Sequence, residues 1–523
     1  MISKEAIKRG YNRGNYIVGA HTPPSYAANL KENSGSIVST GTAGMQRAAV
    51  AVGAAHIAAL QGVADEVLTD TGSVVEWTRD WWAASMVSET AGKPATTEGV
   101  IVKVSSVEQI QAVMRMANEA AIPVTVSAGR SNVTGAALPL RGGIVLDVCK
   151  LNRFLGIDKE SQIVEVEAGM FGDVFEQIIQ GEHGMTMGHW PSSFGISTVG
   201  GWVACRGAGQ LSTRYGKIED MVFGMDVVLA DGSLISVGGY SRAALGSDLQ
   251  QLFIGSEGTL GVIVRVRLKL HRLPDYGRAI AYGFKSFAIG LDACREIMQR
   301  GGNPAALRLY DELESGVQFG LPDLNVLLVA DEGAAGIVDA VMAISEQVCR
   351  EMGEKLDGGT IFEKWLDTRY LTGKSSEGFK RSPGFVSDTL EMIGRWSDLP
   401  AIYTEVVDAL KAVPGTLAGS AHQSHAYVDG ACLYFSLRGE VEVENRAKWY
   451  RQAWDAANEV LIKYNAALSH HHGVGLLRAP YMSASLGSAF PVLEAVKRTL
   501  DPKNILNPGK LGLSDALAHE ASQ

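Results

Sequence analysis

Three glycine-rich stretches constrain the fold of this chain more than any other feature. They read SAGRSNVTGAA at 127–137, PSSFGISTVGGWVACRGAGQLSTRYGKIEDMV at 191–222 and GSEGTLGVI at 255–263. Each lies at the end of a strand-like segment. Without a Cβ, successive backbone N–H groups can turn toward an anion and form a phosphate-binding nest. One such loop alone is more often a turn. Three in one unit point to a large cofactor that carries phosphate. The first loop lacks G-x-G-x-x-G, which argues against a Rossmann dinucleotide site.

Around these loops short strands alternate with helices, an α+β pattern. GVIVKV reads as a strand. In SSVEQIQAVMRMANEAA, residues Val107, Ile110, Met114, Ala117 and Ala121 share one helical face, with Ser105 or Ser106 as N-cap. IPVTVSAG, GGIVLDV and IVEVEAG read as further strands, and FGDVFEQIIQGEHG as a helix stopped by glycine. MVFGMDVVLADGSLISVGG reads as a hairpin turning at ADG. In GVIVRVRLKLHRLP, Arg265, Arg267 and Lys269 alternate with Val264, Val266 and Leu268, as a sheet with one wet face requires. Pro274 ends that run. A second α+β unit follows, with helices near 286–300 and 334–352, a long amphipathic helix over about 442–467, and a last helix in PVLEAVKRTL. A chain of 523 residues exceeds the usual limit of a single core. The expected segments are an N-terminal arm with helices (1–94), a cofactor-binding domain (95–276), a substrate or cap domain (277–470) and a C-terminal return to the cofactor domain (471–523).

The net charge is −10 and there is no basic tract, so nucleic acid is not an expected partner. Cys149, Cys205, Cys294, Cys349 and Cys432 are far apart and form no CxxC. Neither a disulfide framework nor a structural zinc site is expected, and a reducing, cytoplasmic compartment fits. The N-terminus lacks the apolar stretch of a secretory signal. AAVAVGAAHIAAL is too short for a membrane span and carries His56, so it reads as a buried helix.

SHHHGVGLLR at 469–478 is the other unusual stretch. Histidine, with an unperturbed pKa of ~6.5, suits acid–base work near neutrality. A metal site would need three or four ligands converging on one ion. Neighbouring histidines on an extended segment point to opposite sides. His422 and His425, in GSAHQSHAYVDGACLYF, could join the run, which leaves zinc open as an alternative; no metal is expected.

The three glycine loops, in this order and with the tail DPKNILNPGKL, resemble the flavin-binding domain of the vanillyl-alcohol oxidase and p-cresol methylhydroxylase family over roughly 95–275. The resemblance implies an α+β chain: a two-subdomain FAD-binding domain of that type, plus an α+β cap with an antiparallel sheet. It implies FAD as cofactor. Ala128, Gly129, Arg130, Ser131 and Asn132 would face its pyrophosphate. Pro191, Ser192, Ser193, Thr198, Gly200 and Gly201 would line the flavin. Glu257, Gly258, Thr259 and Ile263 would follow the adenine and ribose side, with Asn507 and Pro508 closing the site. Some members attach FAD through a histidine of the first loop. Arg130 stands there, so that link is not expected.

Within the superfamily, the flavin-dependent D-2-hydroxy-acid dehydrogenases share E-H-G-x-G and a metal-binding H-x-G-D-G-N segment. Here His471 takes the Glu position and the second segment is missing. HHHGVG-x-LR, with GACLYF and NPAALRLYDE upstream, is instead similar to alkyl-dihydroxyacetonephosphate synthase. That similarity maps Arg308, Tyr434, His470, His471 and His472 onto catalytic positions. It implies flavin N5 chemistry without net redox change, exchanging an acyl group for a long-chain alkoxy group. The arginine would supply a planar fork for a phosphate or departing carboxylate. Leu476 departs from the lysine common at that place. The alternative is an FAD-dependent oxidase or dehydrogenase of an alcohol, phenol or 2-hydroxy acid, with hydride transfer to flavin. A flavin binder without catalysis is the least favoured reading. A homodimer acting on a small lipid-like molecule, alcohol or hydroxy acid is expected.

Overall fold

The strands Val100–Lys103, Val124–Ser127 and Ile144–Asp147 run parallel, with Ile144–Asp147 in the middle. The computed structural model describes residues 48–85, 98–370, 384–518 and 520. Ile144, Val145 and Leu146 are fully buried, as a parallel strand covered on both faces requires. The crossover helix Val107–Ala120 buries Val107, Ile110, Val113, Met114 and Ala117 against this sheet. Ser106 and Gln109 close its N-terminus as a reciprocal capping box. Ala121 is not on the apolar face: it is the left-handed C-cap. Glu66–Leu68 adds an antiparallel edge.

A second, antiparallel sheet takes the order Phe154–Asp158, Ile163–Glu167, Val262–Lys269, Val222–Val228 and Leu234–Gly238. Its alternation is the one read from sequence. Val264, Val266 and Leu268 are buried, while Arg265 and Arg267 pair with Asp226 on the neighbouring strand. The early apolar stretch differs from expectation. Its helix is only Ala54–Gln61, and Leu60 alone is buried. Alanine removes too little surface from water to hold a helix inside a core.

The cap is a seven-stranded antiparallel sheet. Its order is Glu354–Leu356, Tyr276–Phe284, Asn325–Gly333, Ala306–Tyr310, Thr416–Ala426, Gly430–Glu440 and Phe385–Arg395. Leu307, Leu309, Leu433 and Phe435 pack in one cluster with residues of the helices Phe287–Gln299, Ala335–Met352, Leu399–Ala412 and Arg446–Lys463. The two-residue period of a strand therefore turns Arg308, Tyr310 and Tyr434 to the opposite face. Ala306 and Tyr310 on that face share a cluster with Trp190 and Trp202 of the first domain. Cross-strand register sets Tyr310, His422, Tyr434 and Glu391 in one row over four strands.

The tail returns to the parallel sheet. Val124 N–H donates to Ile505 O (2.7 Å) and Asn507 N–H donates to Val124 O (2.8 Å). No described helix is long and apolar enough to cross a membrane.

Candidate active site

A cavity of about 420 Å³ lies where the polar face of the cap sheet meets the glycine loops. Ala128, Gly129, Arg130, Ser131 and Asn132 line it, as do Pro191, Ser192, Ser193, Thr198, Gly200, Gly201, Glu257, Gly258 and Ile263. From the cap come Arg308, His422, His425 and Tyr434, and from the C-terminal part His471 and His472. Three other residues singled out from sequence stand behind the wall. His470 is buried, Thr259 hydrogen-bonds Ser256 O, and Asn507 holds the loops together by donating to Glu257 O (2.7 Å) and Ala136 O (3.0 Å).

The glycines act differently from the simple nest argument. A Cβ on Gly129 would sit 2.3 Å from Ile196 O, and one on Gly200 2.5 Å from Ala168 Cβ. Both permit close chain packing rather than a positive φ. The left-handed positions on the cavity wall are Gly258, at φ 72°, and three non-glycine residues, Arg130, Glu257 and His425, at φ 54, 50 and 58°. Such strained non-glycine backbone persists only where its surroundings hold it. Arg130 contributes backbone to the wall, but its guanidinium donates to Glu76 O and lies 5.1 Å from the Trp77 ring.

Glu391 organises the histidine run. Its carboxylate accepts N–H bonds from His470 (2.7 Å) and His472 (2.7 Å) and the Ser469 hydroxyl (2.8 Å). The Arg478 guanidinium, also fully buried, lies 3.5 Å away. Burial alone would raise the pKa of Glu391. Arg478, the charge that His472 and His471 carry in acid, and the His470 N–H together outweigh it and hold the carboxyl at about 2. The next turn is clasped in the same way: Glu257 accepts from Val474 N (2.6 Å) and Gly475 N (2.8 Å). Lys217 Nζ donates to His470 O (2.6 Å), and Asn132 Nδ2 to His472 O (3.2 Å). The Cys205 thiol lies 3.1 Å from the same carbonyl, and burial pushes its pKa up to about 12.

Wrapped around a carboxylate, the run is not extended, and the expectation that neighbouring histidines diverge fails. His470 Nδ1 and His471 Nδ1 lie 3.0 Å apart. His425 joins them, with ring centroids 4.8 and 5.0 Å away. His425 and His422, three apart on a strand, would face opposite sides. A register shift between Ser424 and Ala426, with His425 left-handed, turns both to the cavity. Ligand atoms of His425, His470 and His471 lie within 4.8 Å of one another, so these three are the group able to hold a cation among the described residues. His422 is not in the group: its Nδ1 pairs with Glu314 (2.7 Å). Burial pushes the pKa values of His425, His470 and His471 well below the ordinary imidazole range, and that of His472 to about 4.

On the cap face, Tyr434 OH meets His472 Nε2 (3.1 Å) and Thr389 Oγ1 (3.2 Å). Burial raises the pKa of Tyr434 beyond the ordinary phenol range. Arg308 Nε donates to Tyr310 OH (2.9 Å), and its guanidinium lies 5.9 Å from the Trp365 ring. Arg369 stacks on the same ring at 4.7 Å, and its buried Nε and one Nη have no partner among the described residues. His189 likewise lines the cavity with neither ring nitrogen partnered, and burial lowers its pKa to about 3. Sequence reasoning passed over Glu391, Arg369 and Lys217, and placed the GH-x-P segment that holds His189 along the flavin without giving the histidine a role. Glu391 alone left a signal, as the lone carboxylate in the apolar run TLEMIG.

Comparison with known proteins identifies the family. The FAD binding domain family matches residues 99–238, and the family described as FAD linked oxidases, C-terminal domain, matches 273–511. The alkyldihydroxyacetonephosphate synthase of Trypanosoma brucei brucei is 30% identical over 448 residues, which are 76% of this chain and 70% of that protein. An uncharacterized FAD-linked oxidoreductase of Escherichia coli O157:H7 is 31% identical over 433 residues, covering 79% and 88%. The chain belongs to the FAD-linked oxidase family. Two solved structures share the fold of this family member. One is an alkyldihydroxyacetonephosphate synthase (TM-score 0.73, 21% identity, 96% and 92% covered). The other is p-cresol methylhydroxylase with substrate bound (TM-score 0.71, 19% identity, 88% and 96% covered).

FAD is the cofactor of this family, and the cavity of the present member fits it. The Ser127 hydroxyl on the wall is buried without a partner among the described residues, as is His189. Buried polar groups are normally satisfied, so such orphans mark where a polar ligand belongs. The 128–133 and 197–201 segments would hold the pyrophosphate. Gly129→Ala is expected to cost FAD retention, because its Cβ collides with Ile196 O and forces the loop outward. The ratio of flavin to protein absorbance in purified protein measures it, and an unchanged ratio contradicts this role.

Proposed function

We propose that this FAD-linked oxidase catalyses a transfer of the alkyl-dihydroxyacetonephosphate synthase type on a small anionic substrate. One arrangement carries the reading: Tyr434, His472, His471 and Arg308 converge on the cavity wall opposite the glycine loops. Bound FAD would supply an electron-poor ring that can accept a hydride or a carbon nucleophile. Neutral imidazole at His471 or His472 is suited to take a proton from the substrate carbon and return it. Arg308 presents its guanidinium as the fork for a phosphate or departing carboxylate. Leu476 does not weaken this reading. Its side chain is fully buried in the core near Trp82 and does not line the cavity, so it removes no charge from the wall.

A second reading, oxidation of a hydroxy compound, is favoured by the same neutral imidazoles, which can take a hydroxyl proton while hydride leaves the carbon. Anaerobic mixing separates the two. Exchange of acyl for alkoxy without lasting loss of flavin absorbance supports transfer; lasting bleaching by an alcohol or hydroxy acid supports oxidation. Arg308→Ala is expected to lower kcat/KM by roughly 10- to 100-fold, the scale of one charge-assisted hydrogen bond of ~1.5–3 kcal/mol. Lysine at 308 should restore only part, because it lacks the fork. Unchanged kcat/KM in Arg308→Ala would remove the anion-binding role.

A further inference from the structure

Behind the cavity a line of side-chain hydrogen bonds leads away from His471. His471 Nδ1 meets His470 Nδ1 at 3.0 Å, and His470 Nε2 meets Tyr427 OH at 2.7 Å. Tyr427 is hydrogen-bonded to Ser212, whose Oγ meets His425 Nδ1 at 2.6 Å. His470 is buried and does not reach the cavity, whereas Tyr427 is half-buried and precedes Val428, which is 63% exposed. Glu219 and the exposed Asp220 lie near the Tyr427 hydroxyl. The line therefore joins a cavity-facing imidazole to the rim of the molecule.

We propose that His470 and Tyr427, with Ser212 beside them, form a proton relay between His471 and solvent. The proposal rests on the reading of His471 as an acid–base group. A proton taken by His471 at Nε2 forms an N–H bond there, and the Nδ1 proton of His471 passes to His470 Nδ1. The proton on His470 Nε2 passes to the Tyr427 oxygen, while the Tyr427 O–H proton leaves to water. One proton crosses, no group keeps a net charge, and both imidazoles exchange tautomers. Passage in reverse, when the proton is returned to product, resets them.

Three features distinguish this line from a merely structural cluster. Each link joins groups that both donate and accept, as imidazole and hydroxyl do. No carboxylate interrupts the line to trap the proton. The Lys217 ammonium on His470 O disfavours a resident positive charge on His470, so the proton passes rather than rests.

Tyr427→Phe keeps the ring and deletes the hydroxyl. In FAD-loaded enzyme it should lower kcat at least ~10-fold, short of the ~10²-fold of a group acting directly on substrate, with KM unchanged. Indicator-dye stopped flow should show proton exchange with solvent slowed by the same factor. Histidine side-chain ¹⁵N NMR, without substrate, should show His470 protonated at Nε2 in the wild type and that preference lost in Tyr427→Phe. Unchanged proton exchange and kcat in Tyr427→Phe, with active wild type, would overturn the relay. So would one equivalent of transition metal in purified holoenzyme that is lost in His425→Ala, because the nitrogens would then face an ion rather than share a proton. A wild type inactive in every flavin assay would refute the functional reading instead, and the NMR result would still decide whether the line exists.

Discussion

Glu391→Gln is expected to destabilise the protein by ~3–5 kcal/mol, the usual cost of removing one member of a buried ion pair. The substitution is nearly isosteric, so the loss would not come from packing. His470 N–H and His472 N–H approach different carboxylate oxygens. An amide can accept from only one of them and must turn its own N–H groups toward the other. Arg478, fully buried, would lose the nearest anion, and its remaining contacts are carbonyls and the Trp454 ring. The three histidines would then lose their common anchor. Denaturant unfolding measures the effect, and its pH dependence identifies the cause. Glu391 has a folded pKa of about 2, below the ordinary carboxyl value of 4.5. Its contribution is therefore fully present above pH 4.5 and disappears as the pH falls through about 2. The gap between wild type and Glu391→Gln should be constant above that window and close within it. A difference below ~1 kcal/mol at pH 7 would show that the histidine run is held by other contacts.

Local patterns carried much of this arrangement. The glycine loops stand out in sequence because each needs several small residues in a few positions. Arg308 and Tyr434 fall on one face because strand alternation is regular through LRLY and CLYF, and the apolar neighbours must face the helices. Long-range geometry was not legible. His425 reaches the cavity through a register shift that reverses the alternation, and no residue type near it announces a bulge. The convergence of His470 and His471 depends on wrapping around Glu391, about 80 residues earlier in the chain. The second role of Glu257, which lines the cavity as expected, was hidden for the same reason. Its neighbours in sequence suggest a cofactor loop, but its carboxylate clasps the turn at Val474 and Gly475. Arg369 follows an ordinary amphipathic helix, and only the fold brings it beside Arg308 on Trp365.

His471→Ala and Tyr434→Phe should each leave FAD bound and lower turnover by ~10²-fold or more, the scale of a lost acid–base group. Retention of FAD is expected because neither side chain supports a glycine loop. The 128–137 loop is tied instead by Asn132, which accepts from Thr134 N (2.8 Å) and Ala136 N (3.0 Å). The two variants should fail in different ways. Tyr434 OH bridges His472 and Thr389, so its loss leaves the His472 ring free to turn and affects the chemical step without changing charge. His471 faces the cavity on one side and meets His470 on the other, so its loss removes the proton acceptor and cuts its link to the cluster behind. External imidazole should therefore restore part of the turnover of His471→Ala, by filling the vacated volume with a group of the same basicity. It should do nothing for Tyr434→Phe, where no space is opened. Single-turnover rates with a saturating substrate separate these outcomes. Wild-type turnover in both variants would place the acid–base chemistry elsewhere on the wall, with His189, neutral and without a partner among the described residues, the next group to replace.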